Sequence, residues 1–208
     1  TTNSNHRFHK YKNLIKGLVV TGPNQLWVSD ITYIDIEGDS DYLHLVTDAY
    51  SHKIIGWCLA DSLSAKHTLE ALRMAIRQTG KDDLSGLIHH SDRGIQYCCN
   101  AYVEELELHH ISISMTEDYK PTDNAIAERV NGIIKQELIY RRKRFASHEE
   151  AYEAIERFIT FYNDSRPHMS IDYQTPSVAH QQVGTQQRHW KGYQERCQQN
   201  QYNICQSI

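Results

Sequence analysis

The sequence predicts a mixed α/β fold built on a five-stranded sheet, and three features carry that prediction. Three β-branched and aromatic runs come first, joined by turns too short for anything but antiparallel neighbours. The apolar spacing then changes from strand-like to helical. Two further short apolar runs are each reached through a helical stretch, so they enter by crossovers and run parallel to the first strand.

Gln25 to Ile36 has β-branched and aromatic residues throughout and reads as a strand. The polar stretch EGDSD (37–41) reads as a turn, Tyr42 to Asp48 as a second strand, Ser51-His52 as another turn, and Lys53 to Ala60 as a third strand. Ser64 can cap a helix whose apolar side carries Leu69, Leu72, Met74 and Ile76. Leu87-Ile88 begins a short strand ending at His90-Ser91-Asp92, where Gly94 permits a tight turn. Ala101 to Leu108 is helical, and Ile111 to Met115 is the fifth strand. Thr122 or Asp123 caps a helix running to about Ile139, and residues 148–162 form one more amphipathic helix. This order is the ribonuclease-H-like topology: a mixed sheet, three antiparallel strands then two parallel, with helices on both faces. In it the first and fourth strands are neighbours, which brings Asp30 close to Asp92.

Residues 23–180 form the core on this reading. Residues 1–22 are a polar, basic arm or linker, and 181–208 a polar, Gln-rich tail expected to pack loosely or be disordered. Starting at Thr1, the chain is expected to be a piece of a longer or processed protein. Its 208 residues suffice for a substantial core. No apolar run approaches the roughly 18 residues of a membrane span, and the start is not a signal peptide. Five cysteines without paired spacing read as reduced thiols of a cytoplasmic protein. The net charge of −4 argues against a nucleic-acid partner until its distribution is seen. Residues 1–20 carry Arg7, Lys10, Lys12 and Lys16 and no acid, whereas residues 21–128 hold 7 basic and 18 acidic side chains. An acidic centre between basic flanks suits a site whose cations offset its own carboxylates, and suits an ordinary acidic surface equally.

Three acids stand out by setting. Asp30 lies inside the apolar strand WVSDITYI, Asp92 at the end of one in IHHSDRGIQY, and Glu128 on the polar face of the helix TDNAIAERVNGIIK. The 35 residues between Asp92 and Glu128 prove little alone, because 26 acidic residues supply about one such pair at any separation by chance. At about 100° per residue, Asn124, Glu128, Asn131 and Lys135 share one helix face, opposite Ile126, Val130, Ile133 and Ile134. Such a face is usually just solvated. A carboxylate at Asp30, however, would be costly on a buried strand without a partner or cation, and together the three acids point to a site for hard cations. Arg93 could screen charge there or touch phosphate.

WVSDITYI, HSDRGIQY, DNAIAERVNGIIKQEL and FYNDSRPH…TP, in that order over roughly residues 20–180, resemble the catalytic core of bacterial insertion-sequence transposases of the OrfB type, relatives of retroviral integrases. The resemblance implies that Asp30, Asp92 and Glu128 are a DDE triad holding two Mg²⁺ ions, or Mn²⁺, about 3.5–4 Å apart. It implies cleavage and strand transfer at DNA ends without a covalent enzyme intermediate, by a homo-oligomer acting on element ends and target DNA. Asn131 and Lys135 match positions that lie beside the triad and contact DNA in such cores. The family's amino-terminal helix-turn-helix region has no counterpart here, and residues 1–20 look like the linker after it. Two other functions remain open: a ribonuclease-H-like nuclease that only hydrolyses, and a non-catalytic DNA-binding remnant.

Other clusters carry less. His6 and His9 have no CxxC pair to make a zinc site with. His90 is read as structural, with assistance to proton transfer as its other use. Arg141, Arg142, Lys143 and Arg144 read as a phosphate-contacting loop. Tyr97 and Tyr119 could stack on bases but are expected to pack. Tyr162-Asn163 and Arg166-Pro167-His168 are expected to tie the last helix to the core.

Overall fold

A computed structural model describes residues 5–117, 124–142 and 144–186. Strands β1 (Leu26–Ile36), β2 (Asp39–Asp48) and β3 (Ile54–Ala60) pair antiparallel, whereas β4 (Ile88–Ser91) and β5 (Ser112–Met115) join in parallel, giving the order β3-β2-β1-β4-β5. The expected sheet is therefore present, with β1 beside β4 at its centre. The first turn is shorter than composition indicated. Ile36 pairs with Asp39, so only Glu37 and Gly38 form the bend, with Gly38 at φ 85°. Asp39, Ser40 and Asp41 read as turn residues, yet they extend the hairpin because ladder pairing uses backbone groups alone.

Side chains alternate along β1 and divide the core in two. Trp27 and Ile31 face one side, where α1 (Ala65–Thr79) and α3 (Asn100–Leu108) cover the sheet. Ile34 and Ile36 face the other, against α4 (Ala125–Ile134) and α5 (His148–Asp164). A short helix, α2 (Ile95–Cys98), follows β4, and α6 (Pro176–Ala179) comes last. Helix α4 passes directly into a π-helical turn, Lys135–Ile139, so the helical stretch ends where expected but with altered winding. The proposed cap residues Thr122 and Asp123, Tyr119, Lys143 and most of the Gln-rich tail lie outside the described residues.

Ser64 caps α1 as expected, accepting from the Lys66 amide at 3.4 Å, and Gly80 ends it in the left-handed conformation. The buried stripe differs from the expected one: Ala71, Leu72, Ala75 and Ile76 form it, and Met74 stays outside the core. Closeness explains this. Strand β3 meets α1 at Gly56, where a Cβ would stand 2.1 Å from the Ala71 carbonyl oxygen and 3.0 Å from the Ala75 Cβ. Gly56→Ala should accordingly cost about 1–3 kcal/mol through overpacking. A thermal melt checks this, and an unchanged midpoint would mean that α1 retreats freely.

At the opposite edge, residues 12–16 lie along β5. The Lys12 carbonyl accepts from the Met115 amide, and the Ser114 hydroxyl accepts from the Leu14 amide at 2.9 Å. Lys16 pairs with Glu117. This covers part of a sheet edge that would otherwise present unpaired backbone groups. Helix α5 is tied down by side chains, as expected. Asn163 bonds both the N–H and the C=O of Ile54, at 3.0 and 2.9 Å, and Arg166 forms a two-pronged pair with Glu137.

Candidate active site

Register places the first two acids. Val28 pairs with His90 across the parallel β1–β4 junction, so two residues further on Asp30 lies level with Asp92. Asp92 follows the last residue of β4, where the chain leaves the sheet. Its Oδ1 accepts from the Gly94 amide at 2.8 Å. Gly94 itself has ordinary extended dihedrals, φ −63° and ψ 145°. The turn is thus made by the aspartate side chain, and it does not require the freedom of glycine.

Helix α4 supplies the third acid. Its polar face is divided: Asn124 and Asn131 are buried against β1, while Glu128 between them is exposed. Asn124 Nδ2 donates to the Ser29 carbonyl at 3.1 Å, and Asn131 Nδ2 donates to Asp30 Oδ2 at 2.7 Å. These two contacts clamp the helix across Asp30, one turn on either side of Glu128. Asp30 Oδ1 accepts from the Ile31 amide. Its carboxyl is pushed up to about 6, chiefly by burial and further by the charges of Asp92 and Glu128, against the lowering effect of its hydrogen bonds. The acids therefore share one electrostatic environment. The oxygens of the three acids do not all come within 4.8 Å of one another.

Behind this centre lies a buried network that sequence reading missed. His89 Nε2 lies 2.8 Å from Ser29 Oγ and 2.9 Å from Tyr102 Oη, joining β1, β4 and α3. The visible signal was a polar residue within each of two apolar strands, Ser29 and His89, offset by two positions in the ladder. His90 is fully buried with Nδ1 2.8 Å from Ser114 Oγ, which fits its structural reading. Tyr97 packs in the core, not on an open face.

The proposed DNA contacts scatter. Arg93 adjoins Asp92 and is partly buried, its carbonyl meeting His6 Nε2 at 2.9 Å. Lys135 lies seven residues after Glu128, about 10 Å along the helix axis. Arg141 and Arg142 are exposed and lie beyond the end of the helical stretch. Arg142 pairs with Glu150 at 2.8 Å and Arg144 with Asp35 at 3.3 Å, so part of the basic loop is already matched by the protein's own carboxylates. A cavity of about 700 Å³ borders the other side of α4, lined by Arg129, Ile133, Arg166 and Tyr173 among others, and none of the three acids reaches it.

Among the described residues no helix is long and apolar enough to cross a membrane. Two integrase core domain families match the sequence, one over residues 20–121 and the other over residues 109–176. A Mycobacterium tuberculosis protein assigned as the transposase of insertion sequence element IS986/IS6110 is 38% identical over 147 residues, 69% of this chain and 53% of that protein. The transposase for IS904 of Lactococcus lactis is 34% identical over 167 residues, 79% of this chain and 64% of its own. The chain thus spans between half and two thirds of the length of these relatives. Among solved structures, the HTLV-2 integrase catalytic core domain in complex with magnesium superposes with a TM-score of 0.61 at 21% identity, covering 78% of this chain and 99% of that one. The simian T-cell lymphotropic virus intasome gives 0.64 at 18% identity, covering 92% and 65%. At such identities these structures speak for the ribonuclease-H-like fold alone. With sequence matches running from residue 20 to residue 176, the chain belongs to the integrase core domain family, and its sequence relatives include transposases of bacterial insertion sequences.

Proposed function

We propose that Asp30, Asp92 and Glu128 are the catalytic acids of a DNA strand-transferring enzyme, and that they act by holding a pair of divalent cations. The observation that carries this is Asp30: a carboxylate on a central strand, raised to about 6 by burial and two neighbouring acids, with no cationic side chain among the causes of its shift. Positive charge placed among the three acids would relieve it. The three acids offer only hard oxygen donors, which fits Mg²⁺, with Mn²⁺ able to replace it. When bound, the ions would supply Lewis-acid stabilisation of the charge that develops on the phosphate and the leaving oxygen.

The chain's own groups do the positioning. Asn131 fixes one oxygen of Asp30 and the Ile31 amide the other, while the Gly94 amide orients Asp92. Exposed on α4, Glu128 can close on the other two acids from the side on which DNA arrives. A water or a 3′-hydroxyl serves as the attacking group, so no Ser or Tyr nucleophile is involved. On this reading Arg93 and Lys135 meet flanking phosphates, with Arg141 and Arg142 further along the same duplex. Element ends and target DNA are the substrates on this reading, handled in the cytoplasm by a homo-oligomer. The test is a strand-transfer assay with a labelled element-end duplex and Mg²⁺. Joined products are expected. Hydrolysis alone would make the protein a nuclease, and binding alone would make it a remnant.

Lys135→Ala should lower affinity by one phosphate contact and flatten the dependence of log Kd on log salt by about one counterion. Titrations of a duplex at several salt concentrations read this directly. An unchanged slope would return Lys135 to the solvated surface.

A further inference from the structure

We propose that Cys58, His67 and Glu70 form a second metal site, for Zn²⁺ or a similar borderline cation, on the face of the sheet opposite the acidic centre. Cys58 pairs across the β2–β3 ladder with His44, which in turn pairs with Ile31, so Cys58 points toward α1 while Asp30 points toward α4. The first turns of α1 bring His67 and Glu70, three residues apart and hence on one helix face, over the sulfur.

The geometry is specific. Cys58 Sγ lies 3.3 Å from Glu70 Oε2, and His67 Nδ1 lies 3.5 Å from the same oxygen. All three donor atoms fall within 4.8 Å of one another, the only such set of three or more among the described residues. Tetrahedral Zn²⁺, with bonds of about 2.3 Å to sulfur and about 2.0–2.1 Å to nitrogen and oxygen, holds its donors roughly 3.3–3.6 Å apart. The two measured separations match those edges. Glu70 turns its other oxygen, Oε1, to Lys66 at 3.9 Å, so the lysine does not stand where the ion would.

Charge and access agree. A thiolate and a carboxylate neutralise a divalent ion, and the neutral imidazole adds a third bond. The thiol proton leaves to solvent as the sulfur–metal bond forms. Cys58 and His67 are half-buried and Glu70 is exposed, which leaves a solvent-facing fourth position for water. Beneath them His44 is wholly buried, its Nδ1 2.8 Å from Thr68 Oγ1 and its ring 6.1 Å from that of His67, giving the site a rigid floor. Sulfur and nitrogen donors set this site apart from the all-oxygen centre, which suits Mg²⁺. A bound ion would clip α1 to the edge strand β3.

Co²⁺ added to metal-stripped protein is the direct probe, because a cobalt–thiolate bond gives a charge-transfer absorption that oxygen ligands do not. One equivalent should produce that band, excess Mg²⁺ should leave it, and Zn²⁺ should bleach it while raising the melting temperature. Cys58→Ser should abolish the band. Glu70→Gln, an exposed change that leaves the fold alone, should weaken binding about tenfold or more. An Asp92→Asn background should leave the band intact, which separates this site from the acidic centre. No thiolate band in the wild type, or a band that survives Cys58→Ser, would overturn the proposal, since the short distances would then be a plain thiol–carboxylate hydrogen bond and a histidine–glutamate pair.

Discussion

Asp92→Asn and Glu128→Gln are each expected to abolish DNA strand cleavage and joining while the protein remains folded. Each change removes one charged oxygen donor and leaves the shape almost unchanged. Losing a ligand of a catalytic cation forfeits several kcal/mol of transition-state stabilisation, and each 1.36 kcal/mol is tenfold in rate, so a loss of about a thousandfold or more should be seen. Asp30→Asn should lose activity equally and show a second, opposite effect on stability. The Asp30 carboxyl moves from 3.8 to about 6 in the fold. A raised folded-state value means that its favourable contribution is complete below 3.8 and gone once the pH has risen through 6. Near pH 7 without metal the ionised group is therefore a net cost, and the uncharged amide should stabilise by about 1–3 kcal/mol. Cleavage assays in Mg²⁺ and melts in chelator read the two effects separately. A variant that kept near wild-type turnover would remove that acid from the ligand set, and an Asp30→Asn protein less stable than wild type at pH 7 would show that the carboxylates do not repel as described.

Much of this was legible in the sequence because it rests on periodicity and chain order. The parallel direction of the fourth strand follows from its helical crossover, its place beside the first from the ribonuclease-H-like topology, and that adjacency sets Asp30 beside Asp92. The direction of the α4 polar face was not legible. Asn124, Glu128 and Asn131 read the same on a solvated face as on one clamped to β1, and only the contacts to Ser29 and Asp30 decide. Helix α2 has four residues, too few for any period. The Gly56–Ala71 approach was invisible because neither residue carries much hydrophobic signal, although together they let α1 lie closest to the sheet. Arg142 and Arg144 looked available for phosphate because their partners, Glu150 and Asp35, come from another helix and the first strand. Cys58 and His67 form no spacing motif for the same reason, since one stands on a strand and the other on the helix packed over it.

Acid should destabilise this protein before most of its carboxylates are neutralised, because burial holds four histidines in the neutral form. Burial lowers His44 and His52 to about 4 and His89 to about 3, the last helped by His90, and it lowers His168 to about 4 together with the charge of Arg166. A depressed histidine gives the unfolded chain the greater proton affinity, so the stability it contributes is complete above the ordinary value of 6.5 and is lost as the pH falls toward 4. At pH 5 each such group can cost about 2 kcal/mol. Protonation of Asp30 below about 6 works the other way and returns about 1 kcal/mol. Four histidines outweigh one aspartate, and the net loss between pH 7 and pH 5 should be roughly 5–7 kcal/mol, a large share of the 5–15 kcal/mol typical of a domain. At about 2–4 °C per kcal/mol for a protein of this size, the melting temperature should fall by about 10 °C or more. Melts in chelator at constant ionic strength measure it, and His89→Gln, which can keep a hydrogen bond to Ser29 or Tyr102 but cannot take up a proton, should reduce the slope. A melting temperature that stayed level from pH 7 to pH 5 would show that these imidazoles reach solvent or counter-charges once protonated, and that the polar network behind the acidic centre is looser than its hydrogen bonds imply.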